Sequence, residues 1–356
     1  MRGGRRQVES GFAQNPPETM NLRLCLEIRN LIFKELTSSV REEGSRVREL
    51  ASRVRRELEI FKMRKLEPYR EVSGADAGSQ TLPLASRRYA VVSALVYTHP
   101  HGERYFRDPE PLILPYTVPN DRFEGTLSLR RESKLFETAC SFIDDGWRPQ
   151  LLLVDGPLAF SDLWSRFGRG REISRLVEAV NGLMERCGEK GIILAGVVKR
   201  PSSRHIIHLL GLQEETDLSD SFLLLHALRP GERTGLFSTR AERPRTIGST
   251  LLPEAIRHPI YSFYGRFSGD WSIPPLRLDL PDFSLSHLED VAGYCYSSSF
   301  WNGIPFPILK ADEEVRISKR FMSEIYAEAV ARIGRLTGEV SLLAPFWGEG
   351  RWMGIY

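Results

Sequence analysis

Hydrophobic positions in this chain follow two different periods. From Asn21 to Leu66 the apolar residues Val40, Val47, Leu50, Val54, Leu58 and Phe61 recur at spacings of three, four and seven, flanked by Arg and Glu. That narrow seam predicts helix, folded as a hairpin or wound as a short coiled coil, with Gly44 as its break. Two uses fit it: an arm for dimerisation or a partner, and a helix laid on its own domain with a charged face in solvent.

Past Pro68 the period shortens. Tyr89 to Tyr97 is β-branched, aromatic and uncharged, which predicts a buried strand. Leu151 to Val154 and Gly191 to Val198 are unalternating apolar runs between turn residues, the pattern of strands covered on both faces. Val72 opens a shorter strand, predicted to stop at Asp76 in a Gly/Ser-rich turn. Leu112 to Val118 is predicted to pair with Val91–Tyr97 across a turn spanning Pro100 to Asp108. Leu127–Ile143 and Arg171–Cys187 carry apolar faces of helical period. Strand, strand, strand, helix, strand, helix, strand is the order of an RNase H-like mixed sheet.

The second half is less regular. Leu218–Leu228 reads as helix or strand, Ile260–Tyr264 and Leu276–Leu280 alternate as strands do, and Phe283–Ser297 reads as helix. A last helix is predicted from Leu309 to Leu336. No linker separates the halves, so the second is expected to complete the same domain. The predicted fold class is α/β: an RNase H-like mixed β-sheet flanked by helices, with an N-terminal helical arm and C-terminal helices. Residues 1–19 are expected to be disordered, 20–67 to form the arm and 68–356 the RNase H-like domain, with Met20 as an alternative start.

Composition narrows the classes. Among 356 residues, 49 basic and 46 acidic side chains leave a net charge of +3, which permits a polyanionic partner without demanding one. Cys25, Cys140, Cys187 and Cys295 lie far apart, which excludes a zinc ribbon or disulfide framework and points to a reducing, cytoplasmic setting. No apolar run approaches the ~18–20 residues of a membrane span, and the first residues lack the apolar stretch of a signal peptide.

The chemistry gathers at strand ends. A strand buried on both faces has no cheap place for a carboxylate, so Asp155 is expected at the C-terminal edge of its strand, where sites in open α/β sheets collect. The alternative is an Asp that caps the Gly156-Pro157 turn. Asp76 has the same setting: apolar lead-in, acid, small residues. Lys199 ends the strand from Gly191, and Glu132 stands near the start of the intervening helix. Carboxylates converging on one sheet edge make a hard, oxygen-rich site suited to Mg²⁺ or Mn²⁺. Asp76, Glu132, Asp155 and Lys199 are the residue types that metal-assisted phosphodiester hydrolysis needs.

These residues stand in an ordered set of motifs: Gly74-Ala-Asp-Ala-Gly-Ser79, Arg131-Glu132, Val154-Asp-Gly-Pro-Leu158, Gly196-Val-Val-Lys199, Arg277-Leu-Asp-Leu-Pro281 and Gly303-Ile-Pro-Phe-Pro-Ile-Leu-Lys-Ala-Asp312. The set, spanning about Asp76 to Arg316, resembles the NurA nucleases, archaeal and bacterial DNA-end-processing enzymes with an RNase H-like core. The resemblance implies a Mn²⁺-dependent 5′→3′ exonuclease on single- and double-stranded DNA, with endonuclease activity on single strands. It also implies a homodimer that works with HerA, a hexameric DNA-translocating ATPase, in resecting double-strand breaks. Carried over, Asp76, Glu132 and Asp155 become metal ligands, Lys199 faces the scissile phosphate, and Asp312 brings a final ligand. Two positions depart from the family pattern. Asp312 stands where His is usual and Ile304 where Tyr is frequent, which keeps a catalytically inactive scaffold for DNA ends or the translocase as the alternative.

Other features carry less. Glu137 rivals Glu132 as the ligand from its helix. His205 and His208 have metal-ligand spacing but also suit a structural role. No G-x-x-x-x-G-K-[ST] is present, so any motor belongs to a partner. Trp301 and Phe306 read as base-stacking groups or as core aromatics. Arg169, Arg171, Arg200 and Arg204 read as a phosphate-tracking strip or as a solvated surface.

Overall fold

The computed structural model describes residues 22–84, 86–159, 170–238 and 256–344. The expected disorder of residues 1–19 and the side chain of Arg169 lie outside the described residues. The chain divides into two compact units, residues 1–50 and 51–356. In the first, the described residues belong to helix α1 (Leu22–Glu57), with Leu31, Phe33, Leu36 and Val40 exposed. Gly44 does not break it. An interior glycine costs a helix about 1 kcal/mol relative to alanine, too little to interrupt so long a run.

Helix α1 stops at Glu57 rather than at Leu66. Ile60–Lys62 forms strand β1 and pairs antiparallel with β8 (Glu232–Thr234). Phe61 therefore belongs to a sheet edge, beneath the guanidinium of Arg233, and not to the helical seam. Val54 of that seam is fully buried, and Arg55 bonds Glu232 through both carboxylate oxygens at 2.6 and 3.0 Å.

The second unit is built on one mixed sheet. Strands β2 (Val72–Pro83), β3 (Arg87–His99), β4 (Glu103–Phe106) and β5 (Glu110–Pro115) are antiparallel, with β2, β4 and β5 all pairing with β3; β5 lies opposite Arg87–Val92 rather than the expected Val91–Tyr97, whose end pairs with β4. Helix α2 (Asn120–Asp144) returns the chain to β6 (Leu151–Asp155), which lies parallel to β2. Helix α3 (Arg171–Lys190) then leads to β7 (Ile193–Val198), parallel to β6. Two short helices follow, α4 (His205–Leu209) and α5 (Asp220–Ala227). Strands β8, β9 (Phe237–Ser238), β10 (Ile260–Gly265) and β11 (Leu276–Pro281) extend the sheet antiparallel from β7. The spatial order β4-β3-β2-β6-β7 is the RNase H-like arrangement, and β11-β10-β8-β1 continues it. The C-terminal part adds a 3₁₀ turn (Asp282–His287), α6 (Leu288–Ser298), α7 (Phe306–Val315) and α8 (Lys319–Thr337).

Strand periodicity splits the core into two layers. Ala75, Leu152, Val154 and Leu194 face α2 and α3, against Phe136, Leu176 and Val180. Val72, Leu151, Leu153, Ala195 and Val197 face the other side, against Val291 and Ile308.

Three elements differ from the pattern-based expectation. Strand β2 does not end at Asp76 but pairs with β3 over its whole length, from Val72 opposite His99 to Pro83 opposite Arg88. The expected turn between Pro100 and Asp108 contains strand β4. The last helix is two helices, because Ser318 caps α8 by accepting the amide of Phe321 at 3.1 Å. The described cysteines are free thiols, and no described helix is long and apolar enough to cross a membrane.

The small residues of β2 serve the helix above them, not a turn. A Cβ on Gly74 would fall 2.3 Å from the carbonyl carbon of Pro307, and one on Gly78 would fall 2.6 Å from the carbonyl oxygen of Val315. Helix α7 thus rests directly on the strand backbone. Gly74→Ala and Gly78→Ala are each expected to lower stability by about 1–3 kcal/mol, the usual cost of overpacking a site that cannot yield. Urea denaturation with an unchanged slope would show it.

Candidate metal centre

Register explains how the acids meet. Ala75 on β2 lies beside Val154 on β6, so the next residues, Asp76 and Asp155, stand level on neighbouring parallel strands. Asp155 in turn pairs with Val197 on β7. Lys199 is two residues further and falls on the same face. That face is the one α7 covers, and the glycines on either side of Asp76 let the helix bring Asp312 down onto the strand ends.

The result is a cluster of three carboxylates, Asp76, Asp155 and Asp312, each offering an oxygen within 4.8 Å of the other two. The ammonium of Lys199 sits among them, at 3.3 Å from Asp76 Oδ2, 2.8 Å from Asp155 Oδ2 and 2.9 Å from Asp312 Oδ1. One point in the structure therefore already holds a positive charge surrounded by three hard oxygen donors. That is the donor set a divalent Mn²⁺ or Mg²⁺ requires, so the residues fit such an ion. Arg316 braces Asp312 from one helical turn onward at 2.8 Å.

Glu132 lines the same cleft but stands outside the cluster of three. It lies across Gly156, with Oε2 3.3 Å from where a Cβ of that glycine would be. Nor does it open its helix: α2 begins at Asn120, which places Glu132 in the fourth turn. Glu137 is occupied elsewhere, bonding Arg175 at 2.7 and 2.8 Å. The cleft has a volume of about 890 Å³ and is bordered by Arg131, Arg200, Trp301 and Ile304.

A family model, the NurA domain, matches residues 70–317, well over half of the chain and all of the carboxylates above. The chain belongs to the NurA family. No curated protein matches it. Its fold is shared with the crystal structure of the NurA nuclease from Sulfolobus solfataricus, at a TM-score of 0.59 and 16% identity over 89% of this chain and 98% of that one. It is likewise similar to a crystal structure of NurA with manganese, with a TM-score of 0.54, 10% identity and coverage of 84% and 98%. A third, of NurA bound to dAMP and manganese, has a TM-score of 0.53 at 10% identity over 84% and 94%.

Within this NurA domain several side chains with no role assigned from sequence support the site. Asp279 is fully buried on β11. It accepts the amide of Leu158 at 3.1 Å, the hydroxyl of Ser262 at 2.7 Å and the guanidinium of Arg277 at 2.9 Å. Arg277 also reaches Ser203, and Ser203 bonds the Tyr264 hydroxyl, which donates to Asp220. These bonds pin the loop after Asp155 and the loop after Lys199. The sequence signal was charge inside an alternating apolar strand, at Arg277 and Asp279. Of the expected basic strip, Arg200 borders the cleft, while Arg204 is spent on the backbone carbonyls of Gln213 and Thr216. His205 and His208 join no metal-binding group among the described residues.

Burial and crowding set the protonation of the cluster. Burial first, and then the charge of Asp155, push the Asp76 carboxyl from 3.8 up to about 8. Burial likewise raises Glu132, with Arg131 opposing. Burial also pushes Asp312 upward, but bonds from Lys199 and Arg316 outweigh it and hold Asp312 below its ordinary value. Lys199 loses solvation yet stays above the ordinary lysine value, because Asp155 and Asp76 face it.

A carboxyl whose pKa is raised by folding contributes stability at low pH that is lost as the pH climbs. Without added metal, Asp76 is expected to make the protein progressively less stable between pH 4 and about pH 8. Asp76→Asn removes that contribution, so its melting temperature should fall less than the wild type's over the same range. Parallel curves would contradict the assignment.

Proposed function

We propose that this chain is a metal-dependent nuclease hydrolysing DNA phosphodiester bonds, with Asp76, Asp155 and Asp312 as the metal-holding residues. One observation carries the reading: in a NurA-family chain, three carboxylates from a strand interior, a strand end and a helix converge on one positive charge. Mn²⁺ is the ion we assign, with Mg²⁺ second, since manganese is named in two of the similar structures. Once bound, such an ion polarises a phosphoryl oxygen and lowers the pKa of water. The chain's own groups do the rest. Lys199 keeps its proton and offsets negative charge on the phosphate. Glu132, held above its ordinary pKa by burial, is suited to take up a proton or to add an oxygen donor. Asp312 replaces the family's usual His as an oxygen ligand, and it accepts rather than donates protons.

The finer reading is a 5′→3′ exonuclease on single- and double-stranded DNA with endonuclease activity on single strands, a homodimer, acting with a HerA-type translocase in end resection. It rests on family membership and on the lack of a P-loop sequence, which leaves strand separation to another protein. The exposed apolar residues of α1 suit an assembly surface. The competing reading is an inactive scaffold. It is favoured by Lys199 being ion-paired to all three acids and by Asp312 and Ile304, which leave no imidazole or phenol at the cleft positions where the family has them.

Cleavage of a labelled duplex in Mn²⁺ decides between them. Asp76→Ala and Asp155→Ala should abolish product while the protein still melts cooperatively. Lys199→Met should lower the rate by about 10²–10³-fold, the usual loss when one preorganised charge-stabilising group goes. Normal cleavage by either Asp variant sinks the nuclease reading. Wild-type protein that binds DNA but makes no product across a Mn²⁺ titration supports the scaffold.

A further inference from the structure

Trp301 is 75% exposed, yet it borders the cleft that contains the three carboxylates. Its backbone is held firmly. The carbonyl of Trp301 accepts the hydroxyl of Ser268 at 2.5 Å, and Gly303, at φ +71°, closes the turn by donating to Phe300 at 2.9 Å. The amide of Ile304 bonds Asn302 Oδ1 at 3.1 Å, and the hydroxyl of Ser299 donates to the carbonyl of Gly303 at 3.1 Å. Phe306, the other aromatic near Asp312, is engaged with Tyr97, His99 and Phe300. The Trp301 ring has no aromatic or cationic partner among the described residues. A large apolar ring displayed by a rigid turn toward a cleft is a surface waiting for a flat ligand. Arg200, which follows Lys199 in sequence, borders the same cleft, exposed and without an ion-pair or hydrogen-bond partner among the described residues.

We propose that Trp301 stacks on a nucleobase of a single-stranded substrate while Arg200 contacts its backbone phosphate, so that the cleft recognises unpaired, base-bearing nucleotides. The proposal builds on the nuclease reading, in that both place nucleic acid in this cleft. A single strand offers the π-face that a paired, stacked duplex hides, and aromatic stacking accepts any base. Free guanidinium next to the cluster offsets phosphate charge that three acids would otherwise repel.

The test uses the full chain in EDTA, so that binding is read without cleavage. Fluorescence anisotropy compares a labelled single strand of about 10 nucleotides with the same strand made of abasic residues. Wild-type protein should prefer the base-bearing strand by about 5- to 140-fold, the range that stacking one base spans. Trp301→Ala should bring the preference close to one, and Trp301→Phe should keep most of it. Trp271→Ala, at an exposed tryptophan that does not line the cleft, should leave it unchanged. Arg200→Gln should weaken both strands alike and reduce the salt dependence by about one ion. Full preference in Trp301→Ala, or none in the wild type, overturns the proposal. A wild type that shows the preference but never cleaves in Mn²⁺ overturns the nuclease reading and leaves this one standing.

Discussion

Helix α7 meets the backbone of strand β2 at Gly74 and Gly78, and the candidate site depends on that contact. Gly74 and Gly78 flank Asp76 on one face, and each would strike the α7 backbone if it carried a Cβ. Any larger residue there would lift the helix and carry Asp312 away from Asp76 and Asp155. The glycines therefore set a distance between acids, a role quite different from the chain reversal their composition suggests.

Given that distance, electrostatics dictates the rest. Three carboxylates so close cannot all be charged and bare. The conflict is eased by the half-buried ammonium of Lys199, by burial that favours the neutral form of Asp76, and by the guanidinium of Arg316 on Asp312. Replacing or displacing that internal charge with an ion of higher charge relieves the same repulsion. This is the physical sense in which the cluster is prepared for a divalent cation.

The far half of the sheet makes the arrangement rigid. Asp279 on β11 is fully buried, and it ties the loop after Asp155 to Arg277. Arg277 and Tyr264 then hold Ser203 in the loop after Lys199. Asp155 and Lys199 are thus positioned through residues more than sixty positions away in sequence, by bonds whose loss would leave unpaired charge.

Local pattern was enough for much of this. Apolar runs located β3, β6 and β7, helical period located α2 and α3, and an acid or lysine closing an apolar run marked Asp155 and Lys199. Their order along the chain was enough for the RNase H-like class, because short connections and buried parallel strands admit few topologies. Where local chemistry has two outcomes, only tertiary contact chose. Gly74 to Ser79 reads as turn or as strand, and the decision came from pairing with β3 and the helix above. Phe61 reads as part of the helical seam, and pairing with β8 overrode it. That Asp312 joins Asp76 and Asp155 while Glu132 remains across Gly156 is a matter of how closely two backbones approach, which sequence spacing does not encode.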